Sequence, residues 1–429
     1  MNFQKAVLAN GLTIIAEVDP SAHSAAAGFF VKTGARDEAP ALMGVSHYLE
    51  HMMFKGTDDI NAEELNRRFD RLGARSNAFT STEMTCFYAH VIPEHLAESV
   101  ALLARMLRPA LRSTDFDTEK GVILGSFDTL LQEQGDLIRK RLMTKAVNPN
   151  YDRFAALHDP WADAPPLRES HFAGTPLAHR VLGTNETITD LTASQMRTYF
   201  EDRYSADNTV LALAGKLDFP RVVEQVTQLC GPWKRTGARR DATLARTTPG
   251  ELTLHDEKIT RGYILTIADA PAFTDERRYD AALLAMLLGA PDNSLLHWAL
   301  IEPGLADEAQ ASFSAHDGHG DYVLFATADP DRLDTVWEKA KEQLDRVART
   351  ATTEDLERLR NKLATSATIG AERPGDRMHR LGANWLYLND YIPIEDELAR
   401  IGRVTLDSIR QTSREFPLTP TTIGRLLPG

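Results

Sequence analysis

"GVSHYLEHMMFKGT", residues 44–57, places His47, Glu50 and His51 in a stretch that is otherwise mostly apolar. His47 and His51 share one face of a helix because they are four residues apart, and Glu50 lies on an adjoining face. Two neutral imidazoles on one face can hold a zinc ion, and a neighbouring carboxylate can take a proton from a zinc-bound water. Unpaired and buried, these groups would cost on the order of several kcal/mol. The pattern therefore favours a metal site over two incidental histidines.

Composition limits the classes of function. The chain has 429 residues, of which 43% are hydrophobic and 25% charged, as in globular proteins and unlike disordered ones. A net charge of 48 − 61 = −13 makes nucleic acid and anionic membranes poor partners. No apolar run is long enough to span a bilayer, and no apolar signal core precedes the first strand. Cys86 and Cys230 lack metal-type spacing and fit a reducing compartment. These features predict a soluble, cytoplasmic protein.

The pattern along the chain predicts an α+β protein of two related domains, residues 1–230 and 251–429, each a mixed or antiparallel sheet flanked by helices. The basic, Gly- and Pro-containing stretch 231–250 is predicted to be a solvated interdomain linker. Residues 207–226 and 320–340 share a strand, an Asp/Pro turn and a helix, which suggests an internal repeat.

Outside the first motif, "HDGHGD" at 316–321 contains two further histidines. Its glycines favour a hairpin turn over a metal site.

The order H-x-x-E-H is the signature of the inverzincins. With it, the chain resembles the pitrilysin/insulinase family of zinc metallopeptidases, in the short two-domain form related to mitochondrial processing peptidase. The resemblance rests on the first motif and on three further stretches, residues 72–91, 118–128 and 174–218. It implies a zinc-dependent endopeptidase that processes peptides or proteins, with Zn²⁺ bound by His47 and His51 and with Glu50 as general base.

The resemblance also implies how substrate is held. The strand containing Asn77, Ala78 and Phe79 resembles the family's edge strand, which adds an extended peptide or unfolded protein to the sheet. Glu119 resembles a carboxylate that lies behind the metal ligands. In the family, two halves or two subunits form a clamshell chamber, so a homodimer, or a heterodimer with a related subunit, is expected.

Two departures from the family pattern bear on activity. The third zinc ligand is expected seven residues after Glu119, where this chain has Ser126, and Asp128 lies two residues further on. Either Asp128 or Glu119 substitutes, or water fills the position, or the metal is lost. Ile301 and Asp307 stand where family members place a substrate-holding Arg and Tyr. The alternative function is therefore a catalytically inactive partner or peptide-binding subunit.

Overall fold

The computed structural model describes residues 1–125, 165–240, 247–257 and 259–429, and within them the strands form two sheets. The first sheet has the order β1-β2-β6-β3-β5-β4 and the second the order β7-β11-β8-β10-β9. The strands of the first sheet are β1 (Asn2–Val7), β2 (Thr13–Val18), β3 (Ala25–Val31), β4 (Arg75–Thr80), β5 (Thr85–Val91) and β6 (Thr209–Gly215). Those of the second are β7 (Gly250–Asp256), β8 (Gly262–Ala270), β9 (Glu308–His316), β10 (His319–Ala328) and β11 (Thr422–Pro428).

Helices cover both sheets. Those of the first half are α1 (Val45–Met53), α2 (Ala62–Arg71), α3 (Leu96–Met106), α4 (113–125 in the described part), α5 (Pro165–His171), α6 (Asn185–Asp190), α7 (Ala193–Arg203) and α8 (Phe219–Cys230). Those of the second are α9 (Arg278–Gly289), α10 (Leu333–Thr350), α11 (Thr353–Glu372), α12 (Pro374–Leu388), α13 (Ile394–Arg403) and α14 (Leu406–Glu415). Among the described helices, none combines the length and hydropathy needed to cross a bilayer.

The second sheet repeats the first strand by strand. In the first, β2 pairs parallel with β6, and β6, β3, β5 and β4 follow in antiparallel order. In the second, β7 pairs parallel with β11, and β11, β8, β10 and β9 follow in antiparallel order. Only β1 lacks a counterpart among the described strands. The predicted α+β architecture of two related, helix-flanked mixed sheets is confirmed.

The structural repeat does not pair residues 207–226 with residues 320–340, although the two stretches share a sequence pattern. Residues 320–340 form β10 and the start of α10, whose counterparts by sheet position are β5 and α3, whereas 207–226 contains β6 and α8. That predicted pairing is therefore wrong. A strand, a Pro-containing turn and a helix recur at several positions because Pro at the first helical turn is a common way to begin a helix.

The proposed boundary at 231–250 separates the strands of the first sheet from those of the second along the chain. It does not separate all of the helices that pack on the two sheets. Helix α12, from the second half, lies on the face of the first sheet opposite α1 and α3. There Met378 and Trp385 pack against Ile15 and Phe30, all of them buried. The first sheet thus obtains one of its two covering layers from residues beyond 251.

The linker is not a solvated tether throughout. The Arg240 side chain is only 4% exposed, and its Nη2 lies 2.7 Å from Asp37 Oδ2 of the first half. Its Nη1 lies 3.4 Å from Asp317 Oδ2 of the second half. The prediction of a fully solvated linker is therefore wrong at Arg240, because carboxylates of both halves compensate the burial of its charge.

Helix α1 begins at Val45, and Gly44 before it has a positive φ of 94°. Glu38 serves as the missing cap: its carboxylate accepts hydrogen bonds from the backbone N–H groups of Gly44 at 2.7 Å and Ser46 at 2.8 Å. The opposite face of α1 is anchored in the core by Val45, Tyr48, Leu49, Met52 and Met53. The orientation of the two histidines is thereby fixed.

Candidate active site

Helix α1 presents His47 and His51 on successive turns, with their ring centroids 4.6 Å apart. His47 Nδ1 is buried and has no hydrogen-bond partner among the described residues. Burial, reinforced by the neighbouring His51, lowers the pKa of His47 to about 3. His47 is therefore a neutral imidazole at neutral pH, which is the form that binds a metal ion.

Helix α4 brings Glu119 against the second histidine. Glu119 Oε1 lies 2.7 Å from His51 Nδ1, and Oε2 forms an ion pair with Lys55 Nζ. Burial raises the pKa of Glu119, but hydrogen bonds from Lys55 and His51 outweigh burial and lower the pKa overall. Glu119 is thus an ionised carboxylate with both oxygens engaged. A carboxylate in this position fixes the orientation of a metal-binding imidazole.

Glu50 is the partly buried carboxylate of the motif. Thr80 Oγ1, at the end of β4, donates a hydrogen bond of 2.6 Å to Glu50 Oε2. Burial raises the pKa of Glu50 above its ordinary value, and the hydrogen bond from Thr80 opposes this rise. A carboxylate with a raised pKa is a stronger base than one in water.

Glu50, His51 and Glu119 line a pocket of about 220 Å³ between α1 and α4. Its walls are Glu50, His51, Phe54, Lys55 and Glu119. The His51 side chain is 35% exposed, so it is accessible from this pocket.

The strand with Asn77, Ala78 and Phe79 is β4, an edge strand of the first sheet. Within the described part of the chain it pairs only with β5, so its outer edge pairs with no described strand. The Thr80 hydroxyl joins this edge strand directly to Glu50. A peptide added to β4 would therefore extend the sheet beside the pocket.

Two predicted positions, Ser126 and Asp128, lie outside the described residues. In the second half, Ile301 ends a π-helical turn, His297–Ile301. Asp307 Oδ1 forms an ion pair of 2.6 Å with Arg261 Nη2.

Sequence reasoning missed three residues of the site: Glu38, Lys55 and Thr80. Lys55 follows His51 by four residues, a spacing that places it near the same helix face and was available in the sequence. Glu38 and Thr80 act through contacts with α1 that no local pattern indicates.

The arrangement fits a zinc ion at the two histidines. His47 offers a neutral imidazole with a buried unpartnered nitrogen, and His51 is oriented by a carboxylate. Glu50, a partly buried base, would lie beside the metal, and the pocket would open onto it. The third protein ligand expected from the sequence falls among the residues that the structure does not describe.

Comparison with known proteins identifies related families and individual relatives. Residues 13–154 match the family model "Insulinase (Peptidase family M16)", and residues 190–363 match "Peptidase M16 inactive domain". A protein of Streptomyces coelicolor described as an uncharacterized zinc protease is 30% identical over 425 residues, covering 96% of this chain and 86% of the relative. A Bacillus subtilis protein of the same description is 27% identical, covering 95% of this chain and 94% of its own.

Two solved structures share the fold. A protease from Helicobacter pylori superposes with a TM-score of 0.85 at 18% identity, covering 99% of each chain. A peptidase M16 inactive-domain protein from Pseudomonas fluorescens superposes with a TM-score of 0.82 at 17% identity, covering 100% of this chain and 98% of that one.

Proposed function

Because this chain belongs to the insulinase family, peptidase family M16, whose cofactor is Zn²⁺, we propose that it is a zinc-dependent endopeptidase with its catalytic pocket between α1 and α4. The observation that carries the proposal is the partly buried Glu50 carboxylate, held by Thr80 and lining one pocket with His51. His47 and His51 are the proposed metal ligands, with a third ligand from Asp128 or water at Ser126.

Zinc, when bound, activates a water molecule and polarises the scissile carbonyl group. Glu50 accepts the proton of the attacking water and then delivers it to the leaving amine. The Thr80 hydroxyl holds Glu50 Oε2 and leaves the other carboxylate oxygen to receive the proton. Glu119 keeps His51 in a fixed orientation throughout, and Lys55 balances the charge of Glu119.

The substrate is an extended peptide or an unfolded protein. Its backbone pairs with the outer edge of β4 at Asn77, Ala78 and Phe79, which provides affinity with little demand on sequence. The net charge of −13 favours peptides of basic character.

The active form is proposed to be a dimer that encloses a clamshell chamber. Ile301 and Asp307 replace the Arg and Tyr that hold substrate in the family, and a related subunit would supply that pair. A homodimer would lack it.

A second candidate function is an inactive partner or peptide-binding subunit. The ion pair between Asp307 and Arg261 favours this second candidate. The Asp307 carboxylate stands at the position of the substrate-holding Tyr, and the ion pair engages it in a structural contact.

The test is hydrolysis of a mixed fluorogenic peptide library by wild type, Glu50→Gln and the exposed control Glu98→Gln, with zinc content measured on the same samples. Glu50→Gln should retain the zinc and lose hydrolysis by about 10²–10⁴-fold, whereas Glu98→Gln should match wild type. Equal hydrolysis by Glu50→Gln and wild type would exclude the proposed base. A zinc-loaded wild type that hydrolyses nothing, alone or with a copurifying related subunit, would establish the second candidate.

A further inference from the structure

A second group of potential metal ligands lies outside the pocket described above. His171, Asp269 and His319 each offer one ligand atom, and these atoms all lie within 4.8 Å of one another. His171 ends α5, Asp269 lies near the end of β8, and His319 begins β10. The hairpin turn predicted at "HDGHGD" is confirmed, with His316 opposite His319. The turn brings His319 to this group, which we name the His–Asp–His cluster.

Each member of the cluster has a buried atom without a hydrogen-bond partner among the described residues: His171 Nε2, Asp269 Oδ1 and His319 Nε2. His171 Nε2 and Asp269 Oδ1 are separated by 3.6 Å, too far for a hydrogen bond. Buried polar atoms in native proteins almost always have partners. Three in one place indicate that a component is missing between them.

One arrangement of the hydrogen bonds around His171 leaves its Nε2 without a proton. Thr422 Oγ1 donates to the Thr248 carbonyl oxygen at 3.2 Å, so its lone pairs remain to accept a hydrogen bond from His171 Nδ1 at 2.8 Å. In this tautomer Nδ1 carries the proton and Nε2 has a free lone pair. Two acceptors, His171 Nε2 and Asp269 Oδ1, then face each other. A cation between them, or a water that donates to both, relieves this opposition.

The remaining contacts hold the three side chains in place. Thr247 Oγ1 donates to Asp269 Oδ2 at 3.0 Å, which leaves Oδ1 for the cluster. Both imidazoles pack edge-on against the Phe172 ring, with centroid distances of 4.5 Å for His171 and 4.9 Å for His319. Outer contacts of this kind orient ligands at metal sites.

We infer that the His–Asp–His cluster binds a divalent transition metal ion of the zinc type, which joins α5 to strands β8 and β10. Two imidazoles and one carboxylate suit Zn²⁺, Co²⁺ or Ni²⁺ and not Mg²⁺ or Ca²⁺, which prefer oxygen ligands alone. The Asp269 side chain is 46% exposed and provides the entry path. Burial lowers the pKa of His319 to about 4, so it too is neutral at neutral pH. The site is independent of the proposed peptidase activity.

The test uses full-length protein carrying His47→Ala and His51→Ala, which removes the motif ligands and leaves the cluster intact. After chelator treatment, this variant is titrated with Co²⁺ and followed by visible absorption and elemental analysis. A single equivalent of Co²⁺ should bind with the intense bands of a tetrahedral or five-coordinate site. Adding Asp269→Asn or His319→Gln should weaken binding by more than about tenfold, as expected on losing one of three ligands.

His255→Gln, an exposed histidine on β7, serves as the matched control and should leave binding unchanged. Zn²⁺ should raise the melting temperature of the double variant but not of its Asp269→Asn derivative. Either substitution decides the question, so one variant that fails to fold does not prevent the test. If His171 instead shares a proton with Asp269, the double variant will bind no Co²⁺, and the inference is wrong. Binding that neither substitution weakens would also overturn it.

Discussion

Glu119 Oε1 lies 2.7 Å from His51 Nδ1, although the two residues are 68 positions apart in the chain. The contact couples α4 to the motif helix α1 and leaves the other ring nitrogen of His51 for a metal ion. Lys55, two residues beyond the end of α1, holds the second oxygen of Glu119. The motif is thus supported by groups whose only evident role is to position it.

Glu119→Ala is expected to weaken zinc binding by about 10–100-fold, because His51 loses the carboxylate that orients it. The affinity is measured by competition with a chromophoric chelator. Glu98→Ala, an exposed carboxylate on α3, is the control and should leave the affinity unchanged. Equal affinities for Glu119→Ala and wild type would show that Glu119 does not position the ligand.

Thr80→Val removes the hydroxyl that holds Glu50 while preserving side-chain shape. A hydrogen bond to a charged group contributes about 1.5–3 kcal/mol, so kcat should fall by about 10–100-fold with zinc content unchanged. Thr80→Ser should restore most of the rate, whereas Thr253→Val, at an exposed position on β7, should have no effect. A rate in Thr80→Val equal to that of wild type would mean that this hydrogen bond does not position the base.

Glu38→Ala removes the carboxylate that caps α1. Its loss should reduce the free energy of unfolding by about 1–2 kcal/mol, and Glu38→Gln should cost less because it keeps an acceptor. Urea denaturation measures both. The exposed Glu94→Ala is the control, and an unchanged stability in Glu38→Ala would argue against the capping role.

Arg240→Ala should destabilise the chain by up to about 3–5 kcal/mol, because it removes a buried cation from Asp37 and Asp317, although Asp37 keeps Arg203 at 2.6 Å and Asp317 keeps Lys32 at 3.1 Å. Arg235→Ala, in the same linker but 68% exposed and 3.4 Å from Asp207, should cost less than about 1 kcal/mol. Urea denaturation of the two variants compares them directly. Equal costs would show that the buried contacts of Arg240 contribute nothing specific.

Local patterns were sufficient to predict the two sheets, the hairpin at 316–321 and the helix that carries His47, Glu50 and His51. Each depends on residues close together in the chain, where periodicity and turn chemistry act. The start of α1 depends on the positive φ of Gly44 and on the cap that Glu38 supplies, which no local periodicity indicates.

Contacts between distant segments were not predictable from one sequence. Nothing local indicates that α12 covers the first sheet, that Arg240 is buried, or that His171 meets His319. Residues 320–340 were paired with the wrong segment because a strand followed by a Pro-initiated helix is common to several parts of the fold.

The most direct test of the proposed zinc site is a crystal structure of the zinc-loaded protein with anomalous diffraction recorded at the zinc absorption edge. We expect an anomalous peak about 2.0–2.1 Å from one ring nitrogen of His47 and one of His51, facing the pocket lined by Glu50. Zinc-loaded crystals without anomalous density at these two histidines would contradict the proposed site.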